Sequence, residues 1–209
     1  MSYIIQVGTS ASQDRLDRLI EERLQPGSDK TLLDQRIWDL FGEDWAVMFT
    51  DLSGFSRHVA EFGIIHFLQV IHESQRLLVP VIYDHDGILL KMEGDSMMVI
   101  FRTAPRALEC AIAMQRVLAS YNVDKAAEDR VLLCVGLGFG RMLRIGDVDV
   151  FGTEVNAASK LGEDTAAAGQ ILVTGAVREA AGALAGLGFS LLADSPPGAI
   201  TAFRLEFQL

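Results

Sequence analysis

The sequence has few cysteines, few basic residues and no long apolar run. Cys110 and Cys134 lack CxxC spacing and nearby clustered histidines, so we expect buried free thiols and not a metal site. With 18 Lys and Arg against 28 Asp and Glu, the formal net charge of −10 argues against nonspecific binding to nucleic acid or anionic lipid. No stretch approaches the roughly 18 apolar residues that span a bilayer. The N-terminus has no secretion-signal pattern either, and we therefore expect a cytoplasmic protein without membrane insertion.

The apolar residues that are present suffice for one sizeable core, since 50% of the 209 residues are hydrophobic. Leu16, Leu19, Ile20 and Leu24 recur at helical spacing before a break at residues 26–28. The pattern changes near residue 45, where a β-prone apolar run begins. We therefore predict an amphipathic helical extension over residues 1–44 and a main domain over residues 45–209.

The main domain shows an alternation of strand-like and helix-like segments. WAVMFTDL reads as a buried strand, and a helical pattern follows over residues 55–83. GILLKMEG and DSMMVIFR predict a hairpin with its turn at residues 93–95, and residues 104–121 predict a helix. VLLCVGLGFG reads as a strand and MLRIGDVDVFG as a partner strand with a turn. The order β-α-β-β-α-β predicts an α+β fold with a ferredoxin-like or palm-like central antiparallel sheet flanked by helices.

Two aspartates lie where apolar strands end or begin: Asp51 in FTDLSGFS and Asp95 in KMEGDSMM. Neighbouring strands are about 4.8 Å apart, so adjacent strands would bring both carboxylates to one edge. Such a pair repels itself unless cations lie between, and paired carboxylates with two Mg²⁺ ions are typical of phosphoryl and nucleotidyl transfer. Each aspartate taken alone is more typical of a turn or a helix cap.

Three glycines, Gly136, Gly138 and Gly140, superficially suggest a nucleotide-binding loop. They lack G-x-G-x-x-G spacing, and close packing of a strand explains them better.

Three motifs together resemble the class III adenylate and guanylate cyclases. FTDLSGFS is similar to the family's F-x-D-I-x-G-F-T, KMEGD to its K-x-x-G-D, and DVFGTEVN to its D-x-W-G-x-x-V-N. They occur in order at family-like spacing, and the similarity extends over about residues 45–175. The main domain is therefore identified as a member of that family.

The resemblance implies a site for a metal-bound triphosphate. Asp51 and Asp95 would bind two Mg²⁺ or Mn²⁺ ions, with the Leu52 carbonyl adding a bond. The start of the following helix offers backbone N–H groups to phosphate, and the contacts there would come from Gly54, Phe55 and Ser56.

The resemblance also implies how the base is read. Lys91 would donate to a ring nitrogen, and Asp149 would accept from an exocyclic amine. Adenine offers an acceptor at N1 and a donor at N6, whereas guanine reverses that pattern, so this pair favours ATP. Asp147 is close in sequence, but only Asp149 has the motif spacing to Asn156. A solvated strand lysine remains the alternative for Lys91.

Asn156 would orient the ribose, as the resemblance implies. Two other features depart from the family and predict slow turnover. The first is Lys160, which stands where the family has an arginine that stabilises the pentavalent transition state. Lysine lacks the planar fork that grips two phosphate oxygens, and losing one such donor typically lowers the rate roughly 100-fold. The turn that carries a phosphate-binding lysine in the family is here ADSPPG at residues 193–198. Phosphate binding would therefore depend more on metals, on the backbone cradle at residues 53–56 and on other residues such as Arg141 or Arg144.

The predicted function is an adenylate cyclase that works as a head-to-tail homodimer, since one chain encodes residues for both halves of the site. The ribose 3′ oxygen would attack the α-phosphorus and pyrophosphate would leave. The alternative is a cyclase-like nucleotide-binding or regulatory module with weak or no catalysis. A two-metal nucleotidyl transferase on a palm-like sheet is a weaker reading.

Overall fold

The computed structural model describes residues 11–54, 60–182 and 186–209. Helices α1 (Ala11–Leu24) and α2 (Lys30–Phe41) form an N-terminal hairpin, and the Asp29 side chain caps α2 by accepting a hydrogen bond from the Leu32 N–H. The hairpin packs on the sheet through a small apolar cluster, whose buried members are Leu19, Leu33, Ile37, Phe41 and Ile145. The expected helices are confirmed, whereas the domain boundary at residue 45 stays a prediction.

An eight-stranded sheet forms the centre of the chain. Its strands are β1 (Gly42–Leu52), β2 (Ile88–Glu93), β3 (Ser96–Phe101), β4 (Leu133–Ile145), β5 (Asp149–Phe151), β6 (Ile171–Thr174), β7 (Gly188–Leu191) and β8 (Ala202–Glu206). The spatial order is β2-β3-β1-β4-β6-β8-β7, with β5 paired to β4. Every pairing is antiparallel except β4 with β6. The α+β fold is confirmed, as a mixed sheet that is mostly antiparallel.

In the described part of the chain, the sheet is covered by helices α3 (Ile64–Asp84), α4 (Ala104–Asn122), α5 (Thr153–Ser159) and α6 (Gly175–Ala181). Alternate residues of β1 face opposite sides, as a strand requires. Ala46 and Met48 join the larger core under α3, α4 and α6. Trp45 and Val47 join a smaller cluster under α5. Among the described residues, α5 alone therefore covers the second face near β1, β3 and β5, and they leave that face partly open.

The helical pattern predicted over residues 55–83 is interrupted at Gly63. Residues 60–62 are helical, and α3 then starts at Ile64 after Gly63, whose φ of 84° departs from helical geometry. Residues 55–59 lie outside the described part of the chain. Among the described residues, no helix has the length and apolar character needed to cross a membrane.

The division of residues 131–152 into two strands at Gly140 is wrong. The structure has one long strand, β4, that continues to Ile145 before a turn at Gly146, and only residues 149–151 form the partner strand β5. Gly146 has a φ of 58°, which a turn needs, and β1 supplies pairing partners for β4 along its length from Leu133 to Leu143. Pairing with β1 on both sides of Gly140 keeps β4 extended through that glycine.

Candidate active site

The two aspartates converge at one corner of the sheet. Asp51 lies near the end of β1, and Asp95 lies in the β2–β3 turn. Thr50 is opposite Met97, which places Ser96 beside Asp51, and the Ser96 hydroxyl donates to Asp51 Oδ1 at 3.4 Å. Burial and the neighbouring Asp95 carboxylate raise the pKa of Asp51 to about 6, against a hydrogen bond from the Leu52 backbone that lowers it.

This corner fits a divalent cation. Among the described residues, neither aspartate has an ion pair with a Lys, Arg or His side chain, so their negative charges are uncompensated. No group of three or more His, Cys, Asp or Glu side chains in that part of the chain is placed to hold a metal alone. Mg²⁺ commonly takes one or two carboxylates, with water and substrate phosphates as its other ligands. Two carboxylates suit an ion that arrives with a phosphate-bearing ligand.

Lys91 and Asp149 meet at a second corner. The Lys91 ammonium donates to Asp149 Oδ2, and Asp149 Oδ1 accepts from the Val150 N–H at 2.9 Å. A β-bulge between Leu89 and Lys91 directs the lysine there. Leu89 packs in the larger core, and strict alternation would turn Lys91 toward that core too. The bulge instead sets Lys91 opposite Met98, on the open face.

An open pocket of about 260 Å³ joins these features on the open face. Lys91, Asp149 and Asn156 line it together with Ser96, the hydrogen-bond partner of Asp51. Apolar walls come from side chains that include Phe49, Met98, Val150, Phe151 and Val155. The structure therefore brings the expected base-reading and ribose-orienting residues together beside the aspartate corner.

The expected triphosphate loop is described only in part. Gly54 is exposed with a φ of 95°. Phe55 and Ser56 lie outside the described residues, so their contacts stay predictions.

Lys160 is not among the residues that line the pocket. It begins a π-helical turn, Lys160–Thr165, that continues α5, and its ammonium lies 2.5 Å from Asp164 Oδ2. A hydrogen bond and charge attraction from Asp164 raise the pKa of Lys160. The structure therefore places Asn156 in the pocket and Lys160 outside it.

Arg141 and Arg144 are engaged elsewhere. Arg144 stacks over Trp45 and bonds to Asp147, while Arg141 lies over Trp38. Arg141 pairs in the sheet with Asp44, which is seven residues or roughly 23 Å from Asp51 along β1. Neither arginine lies near the aspartate corner of its own chain.

Two glutamates near the site, Glu154 and Glu163, have no role that the sequence motifs imply, although Glu154 lies within DVFGTEVN. Glu163 lines the pocket, its carboxylate accepts from the Ser159 hydroxyl, and its charge helps to raise the pKa of Asp51. Glu154 Oε2 accepts from the Phe139 N–H at 3.2 Å and from the Thr174 hydroxyl at 2.6 Å, and so fixes α5 to β4 and β6. Helical spacing from Asn156 was the only sequence signal for Glu163.

The glycines of β4 let α5 approach the sheet, as expected for close packing. A Cβ on Gly136 would lie 2.1 Å from the Ala158 carbonyl oxygen, and one on Gly138 would lie 2.3 Å from the Glu154 carbonyl oxygen. The element that packs closely against these glycines is a helix, α5, and not another strand. Both buried cysteines are free, and burial raises the pKa of Cys110 to about 12 and of Cys134 to about 11.

Several known proteins are similar to this chain in sequence or fold. The model of the family described as adenylate and guanylate cyclase catalytic domain matches residues 42–190. The chain is 30% identical over 141 residues to the adenylate cyclase of Streptomyces coelicolor, covering 66% of this chain and 32% of that protein. It is 30% identical over 135 residues to the serine/threonine-protein kinase pkn2 of Myxococcus xanthus, covering 65% of this chain and 16% of that protein. The crystal structure of an adenylate/guanylate cyclase/hydrolase from Silicibacter pomeroyi aligns with a TM-score of 0.66 at 25% identity, covering 78% of this chain and 95% of that chain.

The matched region is thus only part of the curated relatives. The chain spans less than a third of the length of either of these two proteins.

Proposed function

Because this chain belongs to the adenylate and guanylate cyclase catalytic domain family, we propose that it converts ATP into 3′,5′-cyclic AMP and pyrophosphate. The observation that carries the proposal is one face that presents the Asp51–Asp95 corner and the Lys91–Asp149 pair beside a common pocket. A nucleoside triphosphate needs both, since its phosphates call for cations and its base calls for directional hydrogen bonds.

Asp51, Asp95 and the Leu52 carbonyl would hold two Mg²⁺ or Mn²⁺ ions. Bound there, such ions supply Lewis acidity and neutralise the charge that develops on phosphate oxygens. Ser96 holds the Asp51 carboxylate in place through its hydroxyl. The match between these residues and a cation rests on the two carboxylates, which have no ion-pair partner among the described residues. Burial and the Asp95 charge raise the pKa of Asp51.

Lys91 and Asp149 support a preference for ATP. Lys91 Nζ can donate to adenine N1 while Asp149 Oδ2 accepts from the N6 amine, and these adenine groups are neighbours on one edge. The two side chains already contact each other, so they present a donor and an acceptor side by side. Guanine would place an N–H opposite the ammonium and a carbonyl opposite the carboxylate.

Asn156 and Lys160 would act on the ribose and the phosphates. Asn156, exposed on the first turns of α5, lines the same pocket as the base-reading pair, which supports a role in orienting the ribose. The ribose 3′ oxygen then attacks the α-phosphorus, the bond to the β-phosphate oxygen breaks, and pyrophosphate leaves. Lys160 would donate to the pentavalent phosphorus with one ammonium in place of an arginine fork, which supports a low rate.

We further propose that each site forms between two chains, with metals held by one protomer and base by the other. Mixing Asp51→Asn with Asp149→Asn protein tests this, since each homodimer would lack a complete site. Random exchange gives half heterodimers with one intact site each, and so about a quarter of wild-type activity. If subunit exchange is verified and activity does not recover, the proposal of shared sites is contradicted.

The activity itself is tested by incubating purified protein with ATP, GTP, CTP or UTP and Mg²⁺ or Mn²⁺, and identifying products by mass. We expect cyclic AMP from ATP, with none from the Asp51→Asn variant. Asp44→Asn, the same charge change at the other end of β1, should keep full activity. Absence of cyclic AMP with either metal would overturn the proposal.

A second candidate is a nucleotide-binding module of low or no turnover. The ion pair of Lys160 with Asp164 and the lack of any Lys or Arg in residues 192–201 favour it. Gly198 brings that loop against α5, where a Cβ would lie 2.4 Å from the Thr153 carbonyl oxygen. Lys160→Arg separates the candidates: a large gain in turnover supports an attenuated enzyme, whereas ATP binding without turnover in both forms supports the module.

A further inference from the structure

The Lys160 side chain points toward the C-terminal end of α5 and its π-helical turn. Its ammonium bonds to Asp164, four residues later, at 2.5 Å. Asn156 lies four residues in the other direction and lines the pocket, which Lys160 does not. The lysine is therefore turned away from Asn156, although both residues are expected to contact the same nucleotide.

The π-helical turn supplies two acidic neighbours for this lysine. Asp164 raises the pKa of Lys160 most strongly, and Glu163 adds to the effect through its charge. The extra residue of the turn is held by the hydrogen bond from the Ala166 N–H to the Leu161 carbonyl at 2.8 Å. Gly162 lies tightly against the sheet, since a Cβ there would be 2.7 Å from the Phe49 carbonyl oxygen. This packing fixes where the acidic residues stand.

We propose that Asp164 is an attenuating positioning residue, which holds the Lys160 ammonium outside the pocket and neutralises its charge until a triphosphate competes for it. This inference rests on the proposed function, in which Lys160 contacts the reacting phosphate. The ion pair is exposed, with 56% of the Lys160 and 58% of the Asp164 side chain accessible. Exposed pairs are weak, so a multiply charged triphosphate with its metals can displace Asp164.

The expected effect is correspondingly modest. Asp164→Asn removes the competing charge and should raise kcat/KM for ATP about two- to fivefold, the range that exposed ion pairs span. Asp164→Glu keeps a carboxylate within reach of Lys160 and should behave as wild type. The gain must act through the lysine, so Asp164→Asn should have no effect in a Lys160→Met background.

A matched control removes an equivalent charge far from the site. Glu109 pairs with Arg106 on α4 at 3.3 Å, with 54% and 52% of the Arg106 and Glu109 side chains exposed. Because α4 covers the opposite face of the sheet from α5, Glu109→Gln should leave kcat/KM unchanged. Thermal unfolding of each variant verifies that the fold is intact.

The decisive measurements are kcat/KM for ATP with Mn²⁺ and, by calorimetry, the affinity for an α,β-methylene ATP analogue that cannot be cyclised. A two- to fivefold tighter affinity for the analogue in Asp164→Asn is also expected. A decrease in kcat/KM or affinity, an unchanged value, or a gain that persists in the Lys160→Met background overturns the inference. If no variant forms cyclic AMP, the proposed enzyme function fails, while the analogue affinities still decide the role of Asp164.

Discussion

Replacing Asp51 by asparagine should stabilise the metal-free protein while abolishing its response to divalent cations. Burial and the nearby Asp95 carboxylate raise the pKa of Asp51 from an ordinary value of about 4 to about 6. The charged form is therefore disfavoured in the folded protein whenever no cation is bound. An amide keeps an oxygen that can accept from the Leu52 N–H and the Ser96 hydroxyl, but it carries no charge.

The sign and size of the effect follow from that pKa. The folded protein holds the Asp51 proton more tightly than the unfolded chain, so this contribution to stability is complete below about pH 4 and is lost as pH rises through about 6. The difference corresponds to at most about 3 kcal/mol, and solvent screening of a half-exposed carboxyl lowers it to about 1 kcal/mol. For a chain of this size we expect a Tm about 2–4 °C above wild type at pH 7.5.

Thermal unfolding in EDTA, followed by circular dichroism across pH 4.5 to 7.5, measures the Tm difference between Asp51→Asn and wild type. This difference should be small at pH 4.5, widen as pH rises and level off above pH 6.5. Adding Mn²⁺ at pH 7.5 should raise the Tm of wild type, because binding to the folded state alone stabilises it, and should leave Asp51→Asn unchanged. Asp44→Asn should match wild type in both respects. The prediction is refuted if Asp51→Asn is less stable than wild type in EDTA at pH 7.5, or if the Tm difference between the two proteins does not depend on pH.

Three further predictions concern the base, the packing of α5 and its anchoring. Asp149→Asn should lower kcat/KM for ATP about 5- to 150-fold, since one base-reading contact is worth about 1–3 kcal/mol; steady-state kinetics with ATP and GTP check it. Gly136→Ala would set a Cβ 2.1 Å from the Ala158 carbonyl oxygen, and urea unfolding should show a loss of about 1–3 kcal/mol. Glu154→Ala leaves the Phe139 N–H without its carboxylate acceptor and should cost about 1–3 kcal/mol in the same assay, whereas Glu154→Gln should recover most of it.

The features that sequence predicted well are those set by local pattern. The β2–β3 hairpin follows from two apolar runs around Glu93-Gly94-Asp95, and the structure has its turn there. Asp51 could be placed beside that turn because the βαββαβ order makes β1 the neighbour of β3. Strand alternation and turn chemistry act over a few residues, so one sequence suffices to read them.

Other features depend on tertiary contacts that no local pattern encodes. The bulge that returns Lys91 to the open face requires a choice between two registers of β2 against β3. The continuation of β4 through Gly140 depends on β1 as a long neighbour. The π-helical turn at Lys160 depends on Gly162 packing on the sheet, and regular helical spacing does not predict such a turn. The role of Lys160 at the phosphates stays a prediction.

The charges around the phosphate-binding part of the site make cations central to any activity. Lys160 is paired with Asp164, Glu163 faces the pocket, and the 192–201 loop contributes Asp194 and no basic residue. A triphosphate approaching these groups meets a surface with almost no free positive charge among the described residues. The protein side chains alone therefore attract it only weakly. Divalent ions held by Asp51 and Asp95 would reverse the sign of that field. ATP affinity should therefore fall much more steeply on metal removal than on loss of Lys160, and calorimetric titrations of the analogue with Mn²⁺, with EDTA and with Lys160→Met protein would show the opposite order if side chains dominated.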